Sequence, residues 1–166
     1  NMFGHKRWSV VTQYEFHALN NVVHVALGGR HVVALLADGR VVAAGDEILG
    51  KPHDKADADR MLRLLSGTTH HVISGLALLS SQKSVVESEV TGVRFSPLTE
   101  SDIALYVASD EPYDKAGAYA VQGMASLWIE GLEGDYFNVV GLPVKRLHDM
   151  LRDGFGIDPA PLIFHH

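Results

Sequence analysis

The stretch that decides the fold is DEPYDKAGAYAVQGMASLWIEGLEGDYFNVVGLP, residues 110–143. It carries five glycines, at positions 117, 123, 131, 134 and 141. Glycine is favoured where φ is positive or where a side chain does not fit. Polar side chains and buried-type Val, Trp and Tyr lie between these glycines, and Ser126–Ile129 is predicted as a short apolar strand. This mixture favours an ordered loop lining a cleft, although a structural glycine-rich turn explains the spacing alone almost as well.

Composition places the chain among globular proteins of one domain. It has 166 residues, 46% hydrophobic and 20% charged, which is enough to bury a core. A net charge of −6 argues against a partner such as nucleic acid, whose binders are usually basic. Cysteine is absent, so disulfides and thiolate metal sites are excluded and a reducing cytoplasm is expected. No apolar run reaches ~18 residues and the first residues do not resemble a signal peptide, so no membrane partner is expected.

Hydrophobic periodicity predicts an alternation of strands and helices. Val22–Leu27 and Val32–Leu36 are predicted strands on either side of a Gly-Gly turn, and Asp54–Leu65 is a predicted helix. Its apolar face consists of Ala58, Met61, Leu62 and Leu65. His71–Leu79 and Val85–Phe95 are predicted to form a hairpin.

Two further helices follow. Thr99 with Asp102 three residues later is typical of a capping box, and Pro143 is typical of a first helical turn. The second of these helices is predicted to bury Val144, Leu147 and Leu151. The pattern indicates an α/β or α+β domain with a mixed β-sheet.

Several of these segments resemble the Maf family of septum-formation-inhibitor-like nucleotide pyrophosphatases. The matching motifs, in the family's order, are LGKP (49–52), MLRLLSGTTHHVISG (61–75), VRFSPLTESDIALYV (93–107), DKAGAYAVQG (114–123) and EGDYFNVVGLP (133–143). The resemblance covers about Val41 to Leu151. It implies a single domain over residues 1–166, with an atypical segment 1–40, a family-like segment 41–151 and a tail 152–166.

The resemblance also implies a fold and an activity. The fold is the two-lobed Maf fold with a central cleft, related to the inosine-triphosphate pyrophosphatases. The activity is hydrolysis of a nucleoside triphosphate between the α and β phosphates, with Mg²⁺ or Mn²⁺ as cofactor and pyrimidine or modified nucleotides as substrates. A homodimer in the cytoplasm is expected.

The family's motifs assign roles to individual residues. Lys51 matches the lysine of the GKP motif and is expected to contact phosphate in catalysis. Gln122, with Gly123, matches the glutamine motif that helps to set substrate choice; an amide offers both a donor and an acceptor to a base. Lys115 is a candidate substrate ligand, although an ion pair with Asp114 that holds the loop is the favoured interpretation.

The candidate catalytic aspartate is Asp38, in the sequence Ala-Asp-Gly-Arg at 37–40. The family has Ala-Asp-Thr there, and the aspartate accepts a proton. Counting back from Lys51, Asp38 lies one residue too far upstream, so either a β-bulge absorbs the extra residue or Asp38 is misplaced. Asp-Gly is also typical of a hairpin turn, which is the alternative interpretation. Glu133 and Asp135 are expected either near the metal or in a turn.

Residues 1–40 lack the family's S-x-S-P-R-R loop, which would supply arginines to the phosphates. Their four histidines, His5, His17, His24 and His31, have no metal-ligand spacing and are expected to be solvated or packed. His165 and His166 are interpreted as the start of a tag. The absent loop leaves a second functional hypothesis open, namely a catalytically weak nucleotide-binding or scaffold protein.

Overall fold

The computed structural model describes residues 22–27, 31–80 and 82–158, with side chains described from residue 41 onward except at 79 and 80. Its strands are β1 (Val22–Leu27), β2 (His31–Ala44), β3 (Glu47–Leu49), β4 (Thr69–Ser80), β5 (Ser84–Phe95) and β6 (Ile129–Glu133). They form one sheet in the order β1-β2-β4-β5-β6, with β3 also paired to β2. The five described pairings are all antiparallel. Together with the helices below, this sheet confirms the predicted α/β (α+β) class, but its described pairings are all antiparallel and not the predicted mixture of parallel and antiparallel pairs.

The first two predicted strands are confirmed, and the second is longer than predicted. β1 pairs with the first part of β2, with Leu27 opposite His31. β2 then continues to Ala44 rather than ending near Leu36. The turn predicted at Gly28-Gly29, the side chains of the four N-terminal histidines and the terminal pair at 165–166 lie outside the described residues.

Helix α1 (Lys55–Leu65) is amphipathic, as its periodicity predicts. Asp54 caps its N-terminus, because the Asp54 carboxylate accepts a hydrogen bond from the backbone N–H of Asp57 at 2.8 Å. The predicted face of Ala58, Met61, Leu62 and Leu65 is buried, with exposed fractions of 0–3%. This face packs into the main core cluster together with Val42, Val72 and Phe95.

The predicted hairpin of β4 and β5 and the predicted cap of helix α2 (Glu100–Val107) are both confirmed. At the start of α2, the Thr99 hydroxyl accepts from the Asp102 N–H at 3.1 Å, and the Asp102 carboxylate accepts from the Thr99 N–H at 2.9 Å. Ile103 and Tyr106 are the buried residues of α2.

The strand predicted at Ser126–Ile129 is wrong. Met124–Leu127 form a 3₁₀ helix, and β6 begins only at Ile129. The N–H of Ser126 donates to the Gly123 carbonyl, and that of Trp128 donates to the Ala125 carbonyl, each at 3.0 Å. These two local hydrogen bonds form a 3₁₀ turn, so these backbone groups are not used to pair with a neighbouring strand.

Two short helices follow β6, namely α3 (Tyr136–Val140) and α4 (Val144–Asp149), and a π-helical turn over Met150–Gly154 continues α4. Leu151 and Leu147 pack in a second cluster on Leu76 and Leu78 of β4. Val144 is 49% exposed, so its predicted burial is wrong. No helix within the described residues is long and apolar enough to cross a membrane.

Candidate active site

The loop that carries the DKAGAY motif is fixed against the turn that carries Lys51. The backbone N–H of Gly117 donates to the carbonyl of Gly50 at 3.0 Å. Gly117 also lies directly on β2, where an added Cβ would come within 2.8 Å of the Val42 Cγ2. Lys51 follows the bonded carbonyl, so two family motifs far apart in sequence meet here.

The same loop contains two consecutive residues with positive φ. Gly117 has φ of 73° and Ala118 has φ of 59°. The left-handed region costs an L-residue about 1–2 kcal/mol, and Ala118 is the one non-glycine among the described residues with positive φ. Backbone strain of this kind is concentrated at functional sites, where the surrounding structure enforces it.

The charged side chains near this loop form a small cluster. The Lys115 Nζ lies 2.5 Å from the Asp114 Oδ1. This hydrogen bond is the main reason that the pKa of Asp114 is lowered, and the positive charge of Lys51 lowers it further. Asp114 is exposed, so the pair contributes little to stability. The ion-pair interpretation of Lys115 thus fits the structure, while its role as a substrate ligand stays a prediction.

Gln122 is exposed on the segment that follows the DKAGAY loop. Its Nε2 donates to the Tyr136 hydroxyl at 3.2 Å, which links this segment to the start of α3. The bond uses one amide proton, so the other proton and the Oε1 can face a ligand. Whether Lys51 and Gln122 face the same cleft stays a prediction.

Tyr119 connects the loop to the core through a hydrogen bond with the buried His70. The Tyr119 hydroxyl and the His70 Nε2 share a hydrogen bond of 2.8 Å, and both rings pack edge to face with Phe95. Burial lowers the pKa of His70 to about 4, so this histidine is neutral at pH 7. Neither residue of this pair was predicted to take part in the site. The predicted strand began at His71, whereas β4 begins at Thr69. A strand that included His70 would have placed it on the same buried face as Val72, where a polar group needs a partner.

Asn138, in the EGDYFNVVGLP motif, is a second buried polar residue that was not among the predicted site residues. It is 0% exposed, and its Nδ2 lies 3.1 Å from the Val72 carbonyl, 3.3 Å from the Glu89 carbonyl and 3.0 Å from the Thr91 Oγ1. Its amide therefore fixes α3 onto β4 and β5.

The two acidic candidates of the same motif have structural positions. The Asp135 Oδ1 accepts from the Phe137 N–H at 2.8 Å and so caps α3. Glu133 ends β6, paired with Gly92. These positions fit the turn-forming interpretation. Among the described residues, no three His, Asp or Glu side chains lie close enough to hold a metal ion.

Asp38 lies within β2, so the hairpin-turn interpretation of Asp-Gly is wrong. The pairing of β2 with β4 is irregular here. Leu35 lies opposite Leu76 and Arg40 opposite Ser74, so the chain advances five residues along β2 but only two along β4. A bulge of this kind absorbs extra residues and redirects side chains. The side chain of Asp38 lies outside the described part of the structure, and its catalytic role stays a prediction.

Comparison with known proteins adds the family. The model of the family described as Maf-like protein matches residues 9–154. The chain is 50% identical over 112 residues to a protein of Koribacter versatilis named dTTP/UTP pyrophosphatase, a match that covers 68% of this chain and 58% of that protein. A protein of Bacillus mycoides with the same name is 48% identical over 130 residues, covering 78% of this chain and 68% of the relative. One from Bacillus anthracis is 47% identical over 141 residues, covering 85% and 69%.

Proposed function

The chain belongs to the Maf-like protein family, and we propose that it hydrolyses dTTP and UTP to the nucleoside monophosphate and pyrophosphate. Relatives that are 47–50% identical to it are named dTTP/UTP pyrophosphatases. The chain spans only 58% of the length of the Koribacter relative. The activity is therefore a proposal for this chain, supported by contacts among the chain's own residues.

The observation that carries the proposal is the 3.0 Å hydrogen bond between the Gly117 N–H and the Gly50 carbonyl. It joins the turn that bears Lys51 to the strained loop that leads to Gln122. A site for a nucleoside triphosphate needs a cation for the phosphates and directional hydrogen bonds for the base. The joined motifs supply one group of each kind on neighbouring segments.

The proposed chemistry is an in-line displacement. A water oxygen forms a bond to the α-phosphorus, and the bond from that phosphorus to the oxygen bridging the β-phosphate breaks. Pyrophosphate leaves, and the proton of the water passes to a general base. Lys51 stabilises negative charge on the phosphate oxygens, and Asp38 is the proposed base. The bulge in β2 supports Asp38, because its three extra residues between Leu35 and Arg40 are enough to absorb the one residue by which Asp38 is out of step with the family.

Base preference is assigned to Gln122. Uracil and thymine present a ring N–H beside a carbonyl oxygen, whereas cytosine presents a ring nitrogen acceptor beside an amino group. An amide whose oxygen accepts and whose N–H donates matches the first pattern. The bond from Gln122 to the Tyr136 hydroxyl supports this role, since it restricts how the amide turns. Lys115 and Gly123 are proposed to border the same substrate.

A divalent cation, Mg²⁺ or Mn²⁺, is proposed to accompany the substrate. Mg²⁺ usually takes one or two protein carboxylates together with phosphate oxygens, and neutralises phosphate charge. The described residues alone do not form a metal site, so no step above passes through the metal. A homodimer is proposed from the family resemblance, and a cytoplasmic location from the substrate class.

One sequence observation favours the second candidate, a nucleotide-binding protein with weak turnover. Residues 1–40 do not contain the S-x-S-P-R-R loop, whose arginines would make bidentate phosphate contacts that a lysine cannot copy. Loss of one such donor lowers the rate of hydrolysis by a factor on the order of 10²–10³. Binding would then persist more than hydrolysis.

Both candidates are tested on one preparation of the purified chain. Pyrophosphate release and nucleotide affinity are measured for dTTP, UTP, CTP, ATP and GTP, with Mg²⁺ and with Mn²⁺. Release of pyrophosphate, with dTTP and UTP ranked first, is expected. Release of inorganic phosphate, or a ranking led by purines, contradicts the proposal. Tight binding without hydrolysis selects the second candidate.

A further inference from the structure

Glu111 is a partly buried carboxylate that the mechanism above does not use. It lies in the 3₁₀ helix Glu111–Asp114, which follows α2. Its Oε1 accepts a hydrogen bond from the Tyr106 hydroxyl at 2.7 Å, and its Oε2 accepts from the backbone N–H of Met124 at 3.1 Å. Both carboxylate oxygens are therefore engaged, one by a buried side chain and one by the chain beyond Gln122.

Tyr106 extends this arrangement to the other side of Gln122. Its hydroxyl accepts from the backbone N–H of Ala120 at 3.1 Å while it donates to Glu111. Tyr106 is 0% exposed and its ring packs edge to face on Trp128, so the hydroxyl is fixed. Burial and then the bond to Glu111 raise the pKa of Tyr106, which keeps the hydroxyl protonated. The pair therefore fixes the backbone two residues before and two residues after Gln122.

Gly123 explains why the carboxylate can approach so closely. A Cβ at this position would lie 1.9 Å from the Glu111 Oε1 and 2.2 Å from its Cδ. Its φ of −102° and ψ of −153° are open to other residues, so glycine is needed here for space and not for backbone conformation. The glycine beside Gln122 and the carboxylate of Glu111 are thus two parts of one contact.

We propose that Glu111, together with Tyr106, is a positioning residue that sets the base selectivity of Gln122. This inference rests on the proposed function, because it concerns the same nucleotide site. A hydrogen bond to a base discriminates only when its donor and acceptor are held in place. Five residues of backbone bracketed by one Tyr–Glu pair meet that requirement.

Four variants test the proposal. Glu111→Ala removes both acceptors. Glu111→Gln keeps an oxygen for the Met124 N–H and turns its NH₂ toward the Tyr106 hydroxyl, which can accept from it beside the Ala120 N–H while its own proton loses the Glu111 acceptor. Gly123→Ala keeps Glu111 but displaces its carboxylate. Tyr113→Phe is the matched control, because the Tyr113 hydroxyl donates to the Val107 carbonyl at 2.6 Å from the same 3₁₀ helix, and no described hydrogen bond joins it to the Gln122 segment.

The readout is selectivity, measured as kcat/KM for UTP over that for CTP, with the ratio of their dissociation constants measured in parallel. Glu111→Ala and Gly123→Ala are expected to lower both ratios about tenfold, the size of one hydrogen bond. Glu111→Gln is expected to stay within about threefold of the unmodified chain, and Tyr113→Phe to leave the ratios unchanged. If Glu111→Ala fails to fold, Gly123→Ala and Glu111→Gln decide.

The outcomes separate this inference from the proposed function. Pyrophosphate release with ratios that Glu111→Ala and Gly123→Ala leave unchanged overturns the inference and keeps the function. An equal change in Tyr113→Phe also overturns it, since the effect then reflects general loss of stability. Without any pyrophosphate release the proposed function fails, and the dissociation-constant ratios alone decide the inference.

Discussion

Gly117→Ala perturbs the loop at the point where it touches both β2 and the Lys51 turn. Two costs arise in the folded state. An alanine at φ of 73° costs about 1–2 kcal/mol, because its Cβ crowds the following carbonyl. The Cβ would also lie 2.8 Å from the Val42 Cγ2, and overpacking of this kind costs about 1–3 kcal/mol.

Val42 cannot move away from the new methyl group. It is 1% exposed, and a β-branched side chain on a strand has few χ1 rotamers. The lower entropy of an unfolded alanine returns only about 0.4–1 kcal/mol. We therefore expect Gly117→Ala to lower the free energy of unfolding by about 1–4.6 kcal/mol, which is roughly 2–18 °C in Tm at about 2–4 °C per kcal/mol.

Two companion variants isolate these costs in urea and thermal unfolding. Gly45→Ala is the matched control, since Gly45 has φ of 57° and nothing within 4 Å of an added Cβ; it should lose only the backbone part. The double variant Gly117→Ala/Val42→Ala should recover at least about 1 kcal/mol relative to the sum of the single variants. Equal losses at Gly117 and Gly45, or strict additivity with Val42→Ala, would refute the steric argument.

Three further outcomes are expected. Gln122→Ala should change the ranking of UTP and CTP in pyrophosphate release with little change in Tm, because an unpaired base edge costs ~1–3 kcal/mol in binding; an unchanged ranking excludes base reading. Asp38→Asn should lower the rate of pyrophosphate release by a factor on the order of 10²–10⁴, while nucleotide affinity stays within a few-fold of that of the unmodified chain. An unchanged rate would exclude Asp38 as the base. His70 has a pKa of about 4 in the folded state, below its unfolded value of about 6.5. The unfolded state therefore binds the extra proton between these pH values. The free energy of unfolding is expected to fall by up to about 3 kcal/mol as the pH drops from about 6.5 to about 4. Urea unfolding at pH 4.5, 5.5 and 7 should be less pH-dependent in His70→Gln, and parallel curves contradict this assignment.

Features set by local chemistry were predictable from the sequence. The capping box of Thr99 and Asp102 lies within one helical turn, so four residues contain all of its donors and acceptors. The buried face of α1 follows from the helical period alone.

Features that depend on contacts distant in sequence were not predictable. Trp128 was predicted to lie in a strand, but its ring packs on Tyr106 and its backbone N–H closes a 3₁₀ turn. Asn138 was one of several polar side chains in the glycine-rich stretch 110–143, but its partner, the Val72 carbonyl, is 66 residues away. A single sequence gives the type of a polar side chain but not the distant backbone group that it satisfies.

The loop from the DKAGAY motif to Gly123 is held at its two ends by different contacts. At one end, Gly117 is bonded to Gly50 and packed on Val42; at the other, Glu111 and Tyr106 hold the residues around Gln122. None of these described contacts uses the same partner at both ends. Distant sites without shared partners behave additively within about 0.3–0.5 kcal/mol.

The two ends should therefore control different properties of the site. Gly117→Ala should weaken inhibition by pyrophosphate, which probes the phosphate end near Lys51, and leave the UTP to CTP ratio unchanged. Glu111→Ala should do the reverse, and the double variant should show both effects at their single-variant size. A change of selectivity in Gly117→Ala would mean that the loop moves as one body, because displacement at the phosphate end would then reach Gln122. That result would also require the two anchors to be described as a single support for the whole nucleotide.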